Sequence, residues 1–188
     1  MKYSRSKIEK HYESGKKMKY LFFWGHQPSK NGEITNSCFS QWYHSEFLYE
    51  GIKYHTSEHW MMAEKARLFG DEDAVRRILI SKSPGEAKSL GRNVIGFKQS
   101  VWEEHRSKIV VKGNYLKFNQ NEDLASYLAR TKNRVLVEAS PVDSIWGIGL
   151  DSESELATIP VKWRGLNLLG FAHMEVRDMI VEERDFGN

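Results

Sequence analysis

The sequence has little that could cross-link it, anchor it in a membrane or give it a strong charge of one sign. Cys38 is the only cysteine in 188 residues. No disulfide can therefore form within the chain, a usage that suits a reducing cytoplasm. No apolar run approaches the ~18 residues that a membrane span requires. The first residues are basic but have no apolar core of the kind a secretory signal carries. Lys and Arg total 28 against 25 Asp and Glu, a formal charge of +3, which permits a phosphate-bearing ligand without demanding nucleic acid. There is no repeat, low-complexity tract or linker, so one soluble, cytoplasmic domain is expected. Aromatic residues are plentiful, with six Trp, enough for a core or for stacking on bases.

One stretch organises the rest, Tyr54–Phe69, which reads Y-H-T-S-E-H-W-M-M-A-E-K-A-R-L-F. Thr56 and Ser57 are good N-cap residues before a run of helical composition. At ~100° per residue, Met61, Met62, Ala66, Leu68 and Phe69 share one arc. Glu64, Arg67, His59 and Trp60 fall outside it. Glu58 and Lys65 fall in the middle of the apolar arc, about two turns apart. A buried charge costs several kcal/mol unless it is paired or changes protonation. Two charges there indicate either a site or a structural ion pair with another element.

His55-Thr56-Ser57-Glu58-His59 also fits H-x-x-E-H, the inverted zincin motif. Zinc chemistry needs both histidines on one helical face. The expected cap lies between them and leaves His55 in the preceding extended segment. No metal is therefore expected in the reaction, with a zinc hydrolase kept as the lesser alternative.

Residues 1–19 carry seven Lys and Arg with little apolar content. They read as a basic, solvated extension that nothing obliges to be ordered. Tyr20–Trp24 reads as a buried strand and 25–37 as a loop. Phe47-Leu48-Tyr49 and Ile52-Lys53-Tyr54 flank Glu50-Gly51 as a hairpin. Asp71 caps a helix through Leu79. Ser83-Pro84-Gly85-Glu86 is a capping box, with Gly91 as the helix stop. A longer helix is expected from Ser100 to about Val111, with Trp102 and Ile109 on one face, and Asn121 caps another. Val135–Glu138 reads as a second strand, Pro141–Pro160 as a long loop and about 166–183 as the last helix. The fold class is helix-dominated α+β with a small sheet.

Several motifs in order carry a family resemblance: Tyr54-His55-Thr56-Ser57-Glu58-His59 with Lys65, Gly91-Arg92, Trp102 and Lys117-Phe118. After them come Leu136-Val137-Glu138-Ala139-Ser140, Asp143-x-x-Trp146-Gly147-x-Gly149 and Trp163-x-Gly165-x-Asn167-x-x-Gly170. Together the set resembles the NADAR family of YbiA-like N-glycosidases over residues 20–180. The resemblance implies a domain over 20–188 that cleaves a C–N glycosidic bond to ribose without a cofactor. The implied substrates are ribosylamino-pyrimidine phosphates of the riboflavin pathway, or ADP-ribosylated guanine, free or within nucleic acid. It implies Glu58, Lys65 and Asp143 as catalytic groups, and Gln41, Arg92, Trp102, Trp146, Gly147 and Asn167 as substrate contacts. A non-catalytic ADP-ribose or nucleotide-binding module is the main rival. Leu166 is apolar where many members are polar, and Asp151, Glu153 and Glu155 make the chain acidic after Gly149-Leu150. These departures bear on the substrate more than on the reaction class.

Breaking such a bond develops an oxocarbenium-like ribose, so it calls for negative charge near C1, a nucleophile and a proton for the departing nitrogen. Glu58 and Asp143 are the acids available, with their two roles unassigned. Trp102 and Trp146 suit stacking on a base, although Trp102 would serve equally as core. Gly147 and Gly149 suit close approach to a ligand or a tight turn. Arg92 suits a phosphate or a solvated surface.

Overall fold

The computed structural model describes residues 1–186. In chain order the elements are α1 (Arg5–Glu13), β1 (Tyr20–Phe23), β2 (Phe47–Tyr49), β3 (Ile52–Tyr54), α2 (Ser57–Leu68), α3 (Glu72–Leu79), α4 (Pro84–Arg92), α5 (Gln99–Asn119), α6 (Glu122–Ala129), β4 (Val135–Glu138) and α7 (Leu168–Phe186). The class is the α+β expected, with two two-stranded sheets rather than one. No helix among the described residues is long and apolar enough to cross a membrane. The chain forms two compact units, Gln41–Glu122 and the combination of Met1–Ser40 with Asp123–Asn188.

In the Gln41–Glu122 unit the hairpin follows from its turn. Glu50 and Gly51 both take positive φ, 50° and 77°, the pairing that matches the twist of a two-residue hairpin. It sets Phe47 opposite Tyr54, and their stacked rings lie against Trp60. Thr56 then caps α2, its hydroxyl accepting from the His59 N–H. The expected apolar arc is only part of the burial. Ser57 to Ala63 are all buried, with Trp60 1% and His59 2% exposed, while Leu68 and Phe69 are half-buried. α3, α4 and α5 all pack against α2, and the unbroken burial of Ser57 to Ala63 shows its first two turns covered on every side.

Two helix ends differ from expectation for the same reason. Gly91 does not stop α4, which runs through Arg92 to an Asn93 cap. A Cβ at Gly91 would lie 2.1 Å from Met62 Sδ, so the glycine is what lets α4 approach α2. α5 continues past Val111 to Asn119. There Gly113 admits the Trp60 ring, and the Asn114 amide is held by Val110 O and the Ser57 hydroxyl. The capping box at Ser83 is shifted by one residue. Ser83 Oγ accepts from the Glu86 N–H as expected, but the Glu86 carboxylate takes the Lys82 N–H.

In the other unit β1 and β4 pair in parallel, Tyr20 opposite Val135 and Phe23 opposite Glu138, with α7 packed on β4. Gly170 makes that packing possible, since a Cβ there would lie 2.1 Å from Leu136 O. Within residues 1–19, Arg5–Glu13 is helical and buries Ile8. Lys2 Nζ and Tyr3 Oη both donate to Asp178 Oδ2, at 2.5 and 2.8 Å.

Gly113→Ala tests the approach of α5 to α2. Its Cβ would stand 2.2 Å from Cδ1 of a Trp60 ring pinned by an Nε1 hydrogen bond to Ile109 O at 2.8 Å. Helix propensity favours Ala by ~1 kcal/mol, whereas overpacking a pinned ring costs ~1–3 kcal/mol. We expect a net loss in urea unfolding. Gly85→Ala, also inside a helix and with its Cβ meeting Trp42 at an ordinary 3.5 Å, should be at least as stable as the parent, gaining up to ~1 kcal/mol. Equal stability of the two variants would contradict the packing argument.

Candidate active site

The first turn of α2 is polar and buried. Thr56, Ser57, Glu58 and His59 are each no more than 2% exposed. Every donor and acceptor there must be satisfied by protein or ligand. The Ser81 carbonyl can only accept, so His59 Nε2 carries the proton toward it at 3.3 Å, leaving Nδ1 to take the Thr56 hydroxyl at 2.8 Å. Burial pushes the His59 pKa below its ordinary 6.5 despite the opposing Ser81 bond. Both ring nitrogens are thus committed. The H-x-x-E-H set does not assemble, and His55 turns instead to Glu46, its Nδ1 2.7 Å from Glu46 Oε1.

The Glu58 N–H donates to the Gln41 carbonyl at 3.0 Å, which joins two of the expected site residues. The Gln41 side chain is 7% exposed, and neither its oxygen nor its nitrogen has a hydrogen-bond partner. Each such group costs ~1–3 kcal/mol if left unpaired. A buried amide of this kind can be completed by a ligand or by a bound water that supplies both an acceptor and a donor.

Lys65, two turns further along α2, gathers the other expected residues of this unit. Its Nζ donates to Gly91 O at 2.7 Å and lies 4.2 Å from the Phe97 ring centroid and 5.7 Å from that of Trp102. Burial first, and then the charge of Arg92, lower its pKa below the usual 10.5. Trp102 is 8% exposed, whereas Arg92 is exposed at the end of α4. Phe97 was not anticipated. It follows Gly96 in the short connection before α5, where nothing in its spacing marks it, and 39% of it remains exposed beside the amine. The half-buried amine with two aromatic faces can hold a planar group or a sugar, or act as a nucleophile once deprotonated.

The remaining expected residues lie in the other unit. Asp143 Oδ1 accepts from the Ile145 and Trp146 N–H groups at 2.8 and 2.7 Å. It shapes the loop and presents Trp146 half-exposed. A Cβ on Gly147 would stand 2.8 Å from Glu138 O and 3.0 Å from Asp143 O, so this glycine serves backbone packing. Asn167 is fully buried with φ 54°. Its Oδ1 accepts from the Glu138 N–H at 3.0 Å and its Nδ2 donates to Leu136 O at 2.9 Å. Both ends of its amide hold β4, which makes Asn167 a positioning residue.

Known proteins resemble this chain in sequence and in fold. A family model described as the NADAR domain matches residues 22–181. The chain is 41% identical over 165 residues to N-glycosidase R617 of Acanthamoeba polyphaga mimivirus, covering 85% of this chain and 95% of that protein. It is 34% identical over 115 residues to the chloroplastic riboflavin biosynthesis protein PYRR of Arabidopsis thaliana, covering 59% of this chain and 17% of that longer protein. The NMR structure of the E. coli protein YbiA superposes with a TM-score of 0.69 at 25% identity, covering 88% of this chain and 87% of that one.

The state of His59 sets a pH test. Its folded pKa lies below its unfolded value of 6.5, so between the two the unfolded chain holds a proton that the folded chain lacks. The histidine's stabilisation is complete above pH 6.5 and is lost as pH falls through the folded pKa. We expect the stability gap between the parent and His59→Gln, followed by urea unfolding, to narrow from pH 7.5 down to 5. A gap that stays constant would mean His59 is not buried neutral.

Proposed function

The chain belongs to the NADAR family and is a hydrolase of N-glycosyl bonds, and we propose that its substrate is a phosphorylated ribosylamine of the riboflavin-pathway type. The observation that carries this reading is Lys65, an amine with a loosened proton set against Phe97 and Trp102 on the same helix as buried Glu58. The likeness to a riboflavin biosynthesis protein supports the substrate class. The unsatisfied Gln41 amide supports a polar ligand group beside Glu58. Residues 20–188 form the catalytic domain in this reading, with 1–19 as a basic extension, and the protein works in the cytoplasm.

The proposed chemistry needs no oxidant or reductant. The substrate's amine lone pair drives the C1–O4′ bond open, O4′ takes from solvent a proton that is returned when the Schiff base is hydrolysed, and C1 becomes an iminium carbon. The neutral Lys65 amine adds to C1. A proton moves from Lys65 to the base nitrogen, with Glu58 as its carrier, and the C1–N bond to the base breaks. The base leaves as a free amine and a Schiff base remains on Lys65. Water adds to it, the C1–Nζ bond breaks, and the sugar closes again. Trp102 stacks on the base, and Arg92 receives the phosphate. In the other unit, Asp143 and Trp146 are the acid and the aromatic that the family resemblance implies, and Gly147 and Asn167 hold that loop in place.

Two outcomes test this. Incubation with ribosylamino-pyrimidine phosphate should release free base, followed chromatographically. Release from ADP-ribosylated guanosine alone would move the substrate to the other class named by the resemblance. Glu58→Gln should fold and lose at least ~10²-fold in turnover, the scale of a general-base or electrostatic contribution. Full turnover in that variant would make Glu58 structural, and ligand binding without turnover by the parent protein would favour the binding module.

Borohydride added during turnover should leave a reduced sugar adduct on Lys65, found by mass spectrometry. If no adduct forms and Lys65→Arg turns over well, Lys65 acts as a cation and not as a nucleophile.

A further inference from the structure

The hairpin leading into α2 carries ligating side chains that the reaction above does not use. Phe47 pairs with Tyr54, so Glu46 and His55 occupy the next opposed positions. The Ser45 N–H donates to His55 O at 3.2 Å and extends the pairing beyond the strands. His44 stands two residues before Glu46, on the same face of an extended chain. The His44 and His55 rings lie nearly parallel, 23° apart with centroids at 6.2 Å. One ligand atom from each of His44, Glu46 and His55 falls within 4.8 Å of the other two.

The His55–Glu46 contact alone would pass for an ordinary surface pair, with side chains 42% and 40% exposed. It does not explain His44, which makes no hydrogen bond among the described residues and faces a second imidazole. Two stacked imidazoles beside a carboxylate repel each other when protonated, whereas a shared cation holds all three groups together. The base beneath them is rigid, because Phe47 and Tyr54 are buried and stacked. Lys53 Nζ holds the second Glu46 oxygen at 3.1 Å, the kind of outer contact that orients a ligating carboxylate.

We propose that His44, Glu46 and His55 form a binding site for one first-row divalent transition ion of the zinc type, with its remaining positions open to water. Two imidazole nitrogens and one carboxylate oxygen suit zinc, copper or nickel and disfavour magnesium and calcium. Bonds of ~2.0–2.2 Å require the three atoms to draw together, which their exposed side chains can do by rotation. His55 Nδ1 exchanges its contact with Glu46 for a bond to the ion. The site shares only His55 with H-x-x-E-H, whose His59 is already committed. His55 adjoins the Thr56 cap, so an ion there clamps the entry to α2.

The test is calorimetric titration of tag-free protein with zinc chloride, together with thermal unfolding with and without zinc. One ion per chain should bind and raise the unfolding midpoint, and excess magnesium should not displace it. Loss of a supporting contact alone weakens metal sites by ~10–100-fold, so His44→Ala and His55→Ala should each weaken binding at least tenfold. His44 is exposed, so His44→Ala should keep the parent circular dichroism and give the decisive comparison. Absence of a one-to-one isotherm in the parent, or undiminished affinity in His44→Ala, would overturn the proposal.

Discussion

The buried polar first turn of α2 is the constraint on which the Gln41–Glu122 unit depends. A helix start has unsatisfied N–H groups, and here it also brings a carboxylate, two hydroxyls and an imidazole out of water. Each needs a partner from another element. Gln41 O takes the Glu58 N–H, Asn114 takes the Ser57 hydroxyl, and Ser81 O takes His59. These partners come from before the hairpin, from the middle of α5 and from the segment after α3. The polar turn therefore fixes how the surrounding elements meet, besides placing Glu58. The apolar residues of α2 could tolerate several packings, but this set of hydrogen bonds accepts few.

Close approach is the second condition, and glycines meet it in both units. Gly91 and Gly113 let α4 and α5 come in against Met62 and Trp60. In the other unit Gly147 and Gly165 bring loop backbones together, and Gly170 brings α7 onto Leu136. The Gly91 contact also has a chemical effect. Drawing α4 against α2 puts the Gly91 carbonyl within 2.7 Å of Lys65 Nζ and sets Arg92 near enough to disfavour the amine's charge.

What was legible in the sequence was local. The Glu50-Gly51 turn, the caps at Thr56, Asp71 and Ser83, and the two short apolar strands each follow from a few adjacent residues and form, except that Trp24 lies outside the first strand and is exposed. What escaped depended on distant neighbours. Nothing near Trp60 shows that it will fill the notch at Gly113, so periodicity placed it outside the core and ended α5 early. Gly91 looks like a stop until Met62 is seen against it. Asn167 reads as a ligand residue until both ends of its amide are found on β4. Among the candidate site residues, Glu58 and Lys65 stand out because charges interrupt an apolar arc. Phe97 does not, because an aromatic after a glycine turn carries no pattern.

The environment of Lys65 bears on how phosphate binding and nucleophilic attack can coexist in the proposed reaction. Its pKa is lowered first by burial and second by Arg92. A phosphate on Arg92 would neutralise the second cause and return part of the proton affinity to the amine. A base stacked over Trp102 would act oppositely, removing water from an amine already 4.2 Å from the Phe97 ring and strengthening the first cause. Binding both ends of the substrate therefore sets two opposed shifts on one nitrogen. Burial is the larger cause at the start, and stacking deepens it where the chemistry occurs, whereas the phosphate acts from the exposed end of α4. Seating the base therefore favours the neutral amine, and the phosphate opposes it. A phosphorylated sugar without a base would leave Lys65 more cationic and better suited to holding the product than to attacking it.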